Sequence, residues 1–105
     1  MAYAKKNINF LKFAKGCLPK QRKAILDTAS RDQVLAVCEC ADNALRGNIK
    51  LNTQQKKKLA RHKQVIRHLV NKKVNWKAKR KTLSQKGGSL FPALLAPILA
   101  ALCAK

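Results

Sequence analysis

Between residues 56 and 86 the sequence carries thirteen Lys or Arg side chains and not one Asp or Glu. An acid-free block of that length constrains the fold more than any other feature of the chain. Internal ion pairs cannot relieve its repulsion, so each piece must bury a narrow apolar stripe and leave its cations in water or against an outside polyanion. Leu59, Ile66, Leu69 and Val70 recur at helical spacing, with Asn52 or Thr53 placed to cap the start. Lys56, Lys57, Lys58, Arg61, Lys63 and Arg67 fill the remaining arc. A merely solvated helix face normally mixes both signs of charge. One sign alone points to a polyphosphate, because each neutralised phosphate releases condensed counterions whatever the base sequence.

The whole chain has 105 residues and a formal charge of +20. That length suits one small domain of a few helices and is too short for a large cleft between two domains. Residues 1–50 hold ten basic and four acidic side chains, whereas residues 51–105 hold fourteen basic and none acidic. Such a field fits nucleic acid or an anionic membrane. The four cysteines, Cys17, Cys38, Cys40 and Cys103, follow no disulfide framework and read as reduced thiols. A zinc site with His62 or His68 is disfavoured, since Cys38 and Cys40 fall roughly 200° apart on a helix of about 3.6 residues per turn. The two histidines are six residues apart and point to opposite sides, which argues against a shared role.

In chain order, residues 3–15 form an amphipathic helix candidate carrying Ile8 and Leu11 on one side. The basic, acid-free start also permits a mitochondrial transit reading, but a single Arg and no Ser before Ser30 weigh against it. Gly16 reads as a helix stop and Pro19 as the start of a short helix over residues 20–28. Residues 30–47 form the best-defined helix: Ser30 and Gln33 make a capping box, and Gly47 supplies a left-handed stop. Val34, Leu35, Val37, Cys38, Ala41, Ala44 and Leu45 give it a broad stripe and predict that it centres the core, with Leu35 and Leu45 buried. Asp32, Glu39 and Asp42 read as surface charge balance, because no second acidic element exists to complete a catalytic pair. Residues 75–86 offer only Trp76, Ala78 and Leu83 as apolar content, too little to hold the segment firmly. Trp76 either caps the bundle or stacks on a base, with packing favoured. The run Lys77-Ala-Lys-Arg-Lys has the form of a nuclear localisation cluster.

After Gly87-Gly88 the composition turns apolar, and residues 90–104 contain no charge. A helix of that length spans about 22 Å, short of the roughly 30 Å hydrocarbon core, and Pro97 is expected to interrupt it. The tail therefore reads as a poor membrane span that docks on a membrane, self-associates or is removed. A basic block, then Gly-Gly, then Leu-Phe-Pro-Ala-Leu-Leu-Ala-Pro-Ile-Leu-Ala-Ala resembles the C-terminal part of the adenovirus core protein X family, the precursors of mu. It is also similar to the short basic proteins of adintoviruses and Polinton-type elements. The resemblance covers residues 77–102. It implies condensation of viral double-stranded DNA by the basic part. It also implies a virion protease that cuts Gln85-Lys86-Gly87-Gly88 after Gly88, since sites in that family carry an apolar or amide residue followed by x-Gly-Gly. The block is Lys-rich here and Arg-rich in mu, and a globular N-terminal half precedes it here.

The sequence thus predicts an all-α protein with a helical bundle in residues 1–72, a basic segment in residues 73–88 and an apolar C-terminal helix in residues 89–105. Its expected function is sequence-independent binding and condensation of double-stranded DNA, as a core or packaging protein of a virion and the host nucleus. Phosphate contacts are assigned to Lys56, Lys57, Lys58, Arg61, Lys63, Arg67, Lys72, Lys73, Lys77, Lys79, Arg80 and Lys81. Base readout should be minor, because Lys outnumbers Arg throughout. The alternative is a membrane-interacting protein whose tail inserts while the basic helix holds anionic lipid. No catalytic residue, cofactor or metal is expected.

Overall fold

The computed structural model describes residues 1–103; residues 104 and 105, the end of the expected tail, lie outside the described residues. Among the described residues there are eight helices and no strand: α1 (Ala2–Lys6), α2 (Ile8–Gly16), α3 (Pro19–Asp27), α4 (Arg31–Leu45), α5 (Thr53–Ala60), α6 (Lys63–Val70), α7 (Trp76–Lys86) and α8 (Leu90–Cys103). The all-α architecture agrees with the sequence reading.

Local chemistry sets three of the starts. Ser30 Oγ accepts from the Gln33 N–H at 3.2 Å while Gln33 Oε1 accepts from the Ser30 N–H at 2.9 Å, the expected capping box. Asn52 and Gln55 repeat the device at α5, with both bonds at 2.8–2.9 Å. Asn75 Oδ1 accepts from the Ala78 N–H at 2.8 Å and starts α7. Gly47 ends α4 at φ 76°, a left-handed conformation that costs a residue without Cβ nothing sterically.

Two expected single helices are broken. The N-terminal one bends at Asn7 (φ −111°, ψ 26°), whose backbone N–H (3.0 Å) and Nδ2 (2.9 Å) both donate to the Tyr3 carbonyl and close α1 there. The break lets α1 lie along α4, where Glu39 accepts the N–H groups of Tyr3 (3.3 Å) and Ala4 (2.9 Å). Glu39 is therefore a cap supplied from across the fold, which corrects its reading as surface balance. The second break, at His62 (φ −109°, ψ 23°), lets α5 face α8 while α6 faces α4.

Helix α8 is the main departure from expectation. Leu90, Phe91, Leu94, Leu95 and Ile98 are fully buried, and the helix packs against α2, α4 and α5. Pro97 does not interrupt it. A mid-helix Pro costs about 3 kcal/mol, and burial of each large apolar neighbour, worth roughly 1.5–3 kcal/mol before chain entropy, offsets that. Helix α7 is also held firmly, with Leu83 buried between α3 and α4. The three-part division therefore does not follow the packing: residues 1–72, 73–88 and the described part of 89–105 contribute to one core. Leu35 is only half-buried and Leu45 is 55% exposed, so the stripe of α4 is narrower than its composition suggests.

Buried Arg22 ties these pieces together. Its Nε donates to the Ala14 carbonyl (2.8 Å), Nη2 to those of Lys15 (3.0 Å) and Cys17 (2.9 Å), and Nη1 to that of Gly88 (2.9 Å). The guanidinium thus fills the carbonyl-rich, partially negative end of α2 and anchors the turn into α8.

Candidate nucleic-acid interface

All four carboxylates are engaged, and one of them, Asp27, reaches the acid-free block, where it shares a surface depression with Lys77, Arg80 and Lys81. Asp32 pairs with Lys6 (3.9 Å), Asp42 with Arg46 (3.1 Å) and Asp27 with Lys23 (3.2 Å), while Glu39 caps α1. Asp27 also accepts from Ser84 Oγ; that hydrogen bond, and then the Lys23 ammonium, hold its carboxyl below the ordinary value. Among the described residues, none of the cations in residues 56–86 lies within ion-pair distance of a carboxylate.

Of the twelve residues assigned to phosphate, ten are exposed: Lys56, Lys57 and Lys58 on α5; Arg61 at the bend; Lys63 and Arg67 on α6; Lys72 and Lys73 in the following turn; and Lys77 and Lys81 on α7. Lys63 and Arg67, like Lys77 and Lys81, are four apart and share a helix face. The other two are corrected. Lys79 is only 8% exposed, since α7 turns this position toward α4 beside Cys38. Arg80 donates to the Ala29 carbonyl at 3.1 Å and lies 5.0 Å from the centre of the Trp76 ring. Its charge contributes to the field, but one nitrogen of its fork is already bonded and its ring-facing side is covered. Trp76 is half-buried against the core under Arg80, the packing role rather than a free stacking platform.

The histidines serve separate helix contacts, as their spacing predicts. His62 Nε2 meets Ser89 Oγ at 3.2 Å and His68 Nε2 meets Thr82 Oγ1 at 3.0 Å. Burial pushes the Cys38 thiol up to about 11 and the Cys40 thiol up to about 12. Among the described residues no group of three or more His, Cys, Asp or Glu side chains is placed to hold a metal ion.

The double glycine is structured. Gln85, Lys86 and Gly88 are exposed, but Gly87 is buried and a Cβ there would collide with the Leu83 carbonyl oxygen. Helical backbone runs through Lys86, and Arg22 holds the Gly88 carbonyl, so the joint is not an extended strand ready for a protease cleft. No single helix among the described residues is long and apolar enough to cross a membrane, and α7 and α8 meet at a bend of 109°.

Sequence reasoning missed a surface cleft of about 620 Å³ between α5 and α8. Lys15, Lys58, Arg61 and His62 stand around it, and Pro92, Ala93 and Ala96 line its α8 side. These residues come from separated segments, so no local pattern in the chain announces them.

The sequence matches no protein-family model, and no curated protein and no solved structure matches it.

Proposed function

We propose that this protein binds double-stranded DNA without regard to sequence and condenses it, as a core or packaging protein of a virion assembled in the host nucleus. The observation that supports this reading is the set of ten exposed cations on α5, α6 and α7 and in the bend and turn that join them, none of them within ion-pair distance of a carboxylate and with no acid in their own segment. A surface of one sign carried on packed helices attracts a polyanion without an ordering cost of its own, and its affinity comes mainly from counterion release. Lys predominates among the ten, which suits phosphate contact over base readout. Membrane insertion through α8 would require that helix to leave the core, because its large apolar side chains are buried there.

Titration of unrelated duplexes at several salt concentrations tests the reading. Affinity should fall steeply with salt and be alike for all duplexes. Replacing Lys77 and Lys81 with Gln should make the slope of log K against log salt shallower by roughly 2, about 0.9 per lost phosphate contact. A flat salt response or a strong preference for one duplex sinks the proposal. Cleavage after Gly88 by a virion protease belongs to the same reading and requires the α7–α8 joint to open first. Mass spectra of particle-derived protein should contain a chain ending at Gly88; finding only the intact chain would remove processing from the scheme.

A further inference from the structure

The cleft between α5 and α8 combines two surfaces of different chemistry. On one side Lys58, Arg61 and His62, from the end of α5 and the bend after it, approach Lys15 at the end of α2. No acidic side chain lines the space. On the other side Pro92, Ala93 and Ala96 present a shallow floor of CH groups. Gln55 sits at the edge, its Oε1 held by the Asn52 N–H, which leaves its amide NH₂ as a donor. A volume of about 620 Å³ lies within the roughly 300–1,000 Å³ typical of small-molecule sites.

We propose that this cleft holds one unpaired nucleotide at the end of a nucleic-acid strand, its phosphate among Lys15, Lys58, Arg61 and His62 and its base on the Pro92–Ala96 floor. The cationic rim calls for a phosphate. The uncharged floor calls for a flat, weakly solvated group attached to it, and Gln55 adds a donor suited to an acceptor on a base edge. A paired base in a duplex is stacked on both faces and does not enter a cleft of this size. The site therefore distinguishes strand ends and gaps from continuous duplex. This inference rests on the nucleic-acid reading for the identity of the phosphate's carrier. It goes beyond that reading by assigning a second binding mode, which shares Lys58 and Arg61 with the duplex surface and adds Lys15, His62 and the α8 floor.

The test uses the full chain, with adenosine 5′-monophosphate, inorganic phosphate, adenosine and short-chain phosphatidic acid as probes, followed by amide chemical shifts. The nucleotide should bind at least tenfold more tightly than phosphate or adenosine alone and shift Arg61, His62, Ser89 and Ala93. Ala96→Phe, at an exposed floor position, should weaken nucleotide binding tenfold or more while blunt-duplex affinity stays unchanged; Ala93→Leu provides a second, milder filling of the same space should the larger ring disturb α8. Nucleotide binding no tighter than that of phosphate overturns the proposal. So does tighter binding of phosphatidic acid, or indifference to both floor substitutions with the fold intact. If blunt duplex binds and the nucleotide does not, the cleft assignment alone fails. Failure of both removes the nucleic-acid reading itself.

Discussion

Arg22 is buried and bonded to four backbone carbonyls, a role that composition hides, since it is one cation among twenty-four Lys and Arg. Its planar fork reaches four carbonyls from two parts of the chain, a geometry that the single ammonium of Lys cannot reproduce. Arg22→Ala should destabilise the protein by roughly 2–4 kcal/mol in urea unfolding, because the buried Ala14 carbonyl and the part-buried carbonyls of Lys15, Cys17 and Gly88 lose their donor. Arg22→Lys should recover less than half of that loss; full recovery would mean that charge alone matters. The thiols give a second test at this scale. Cys38 and Cys40 are buried with their pKa values raised to about 11 and about 12. They should react with a disulfide reagent at neutral pH far more slowly than exposed Cys103, as counted by mass spectrometry. The raised values also make the two buried thiols a source of alkaline instability. The folded state holds their protons more tightly than the unfolded chain does, so their contribution is intact below about 9 and is lost as pH rises toward 11–12.

At the scale of elements, α8 changes what a truncation means. A charge argument treats residues 89–105 as dispensable for DNA binding, since they contain one cation and no acid. The structure places six large apolar side chains of α8 against α2, α4 and α5, so removing residues 89–105 should unfold the chain. Loss of the helical circular dichroism signal and of cooperative melting is the expected result; a truncated chain that melts cooperatively would show that α8 is an accessory. Helix α7 illustrates how little area suffices when partners lie on several sides: Leu83, the stem of Lys79 and the face of Trp76 hold it against α3, α4 and α6. The sequence reading undervalued it because the area a helix buries depends on the number of neighbours, which periodicity does not reveal.

At the scale of the whole molecule, a charge of +20 is carried by a body whose principal extents are 31 × 27 × 25 Å. Self-repulsion at that density opposes compaction. On the proposed reading, duplex DNA at about a hundredfold excess over its dissociation constant should raise stability by at most about 2.7 kcal/mol, because the unfolded chain keeps the same cations, and should raise the melting temperature by no more than roughly 20 °C. Added sodium chloride should raise the melting temperature of the free protein and shrink the shift caused by DNA, as followed by scanning calorimetry. A DNA-induced shift that does not change with salt would contradict an electrostatic origin.

What the sequence by itself determined is the local and the additive. Capping at Ser30 and Asn52, the left-handed stop at Gly47 and the helical periods of residues 30–47 and 54–70 follow from short-range chemistry, and the all-α class follows from them. The acid-free block was equally legible, because net charge is a sum over residues and needs no coordinates. Only the tertiary structure decided which cations remain available and which are consumed. Lys79 and Arg80 belong to the same basic run as Lys77 and Lys81, yet the rotation of α7 against α3 and α4 turns the first two inward and leaves the others in water. It also decided that the apolar stretch after Gly88 joins the core, packed on the central helix α4 together with α2 and α5. An apolar helix must find an apolar partner, and composition does not say whether that partner is lipid, another copy or the chain itself. Here the partners are α2, α4 and α5, brought into reach by the bends at Asn7 and His62 and by the carbonyl contacts of Arg22.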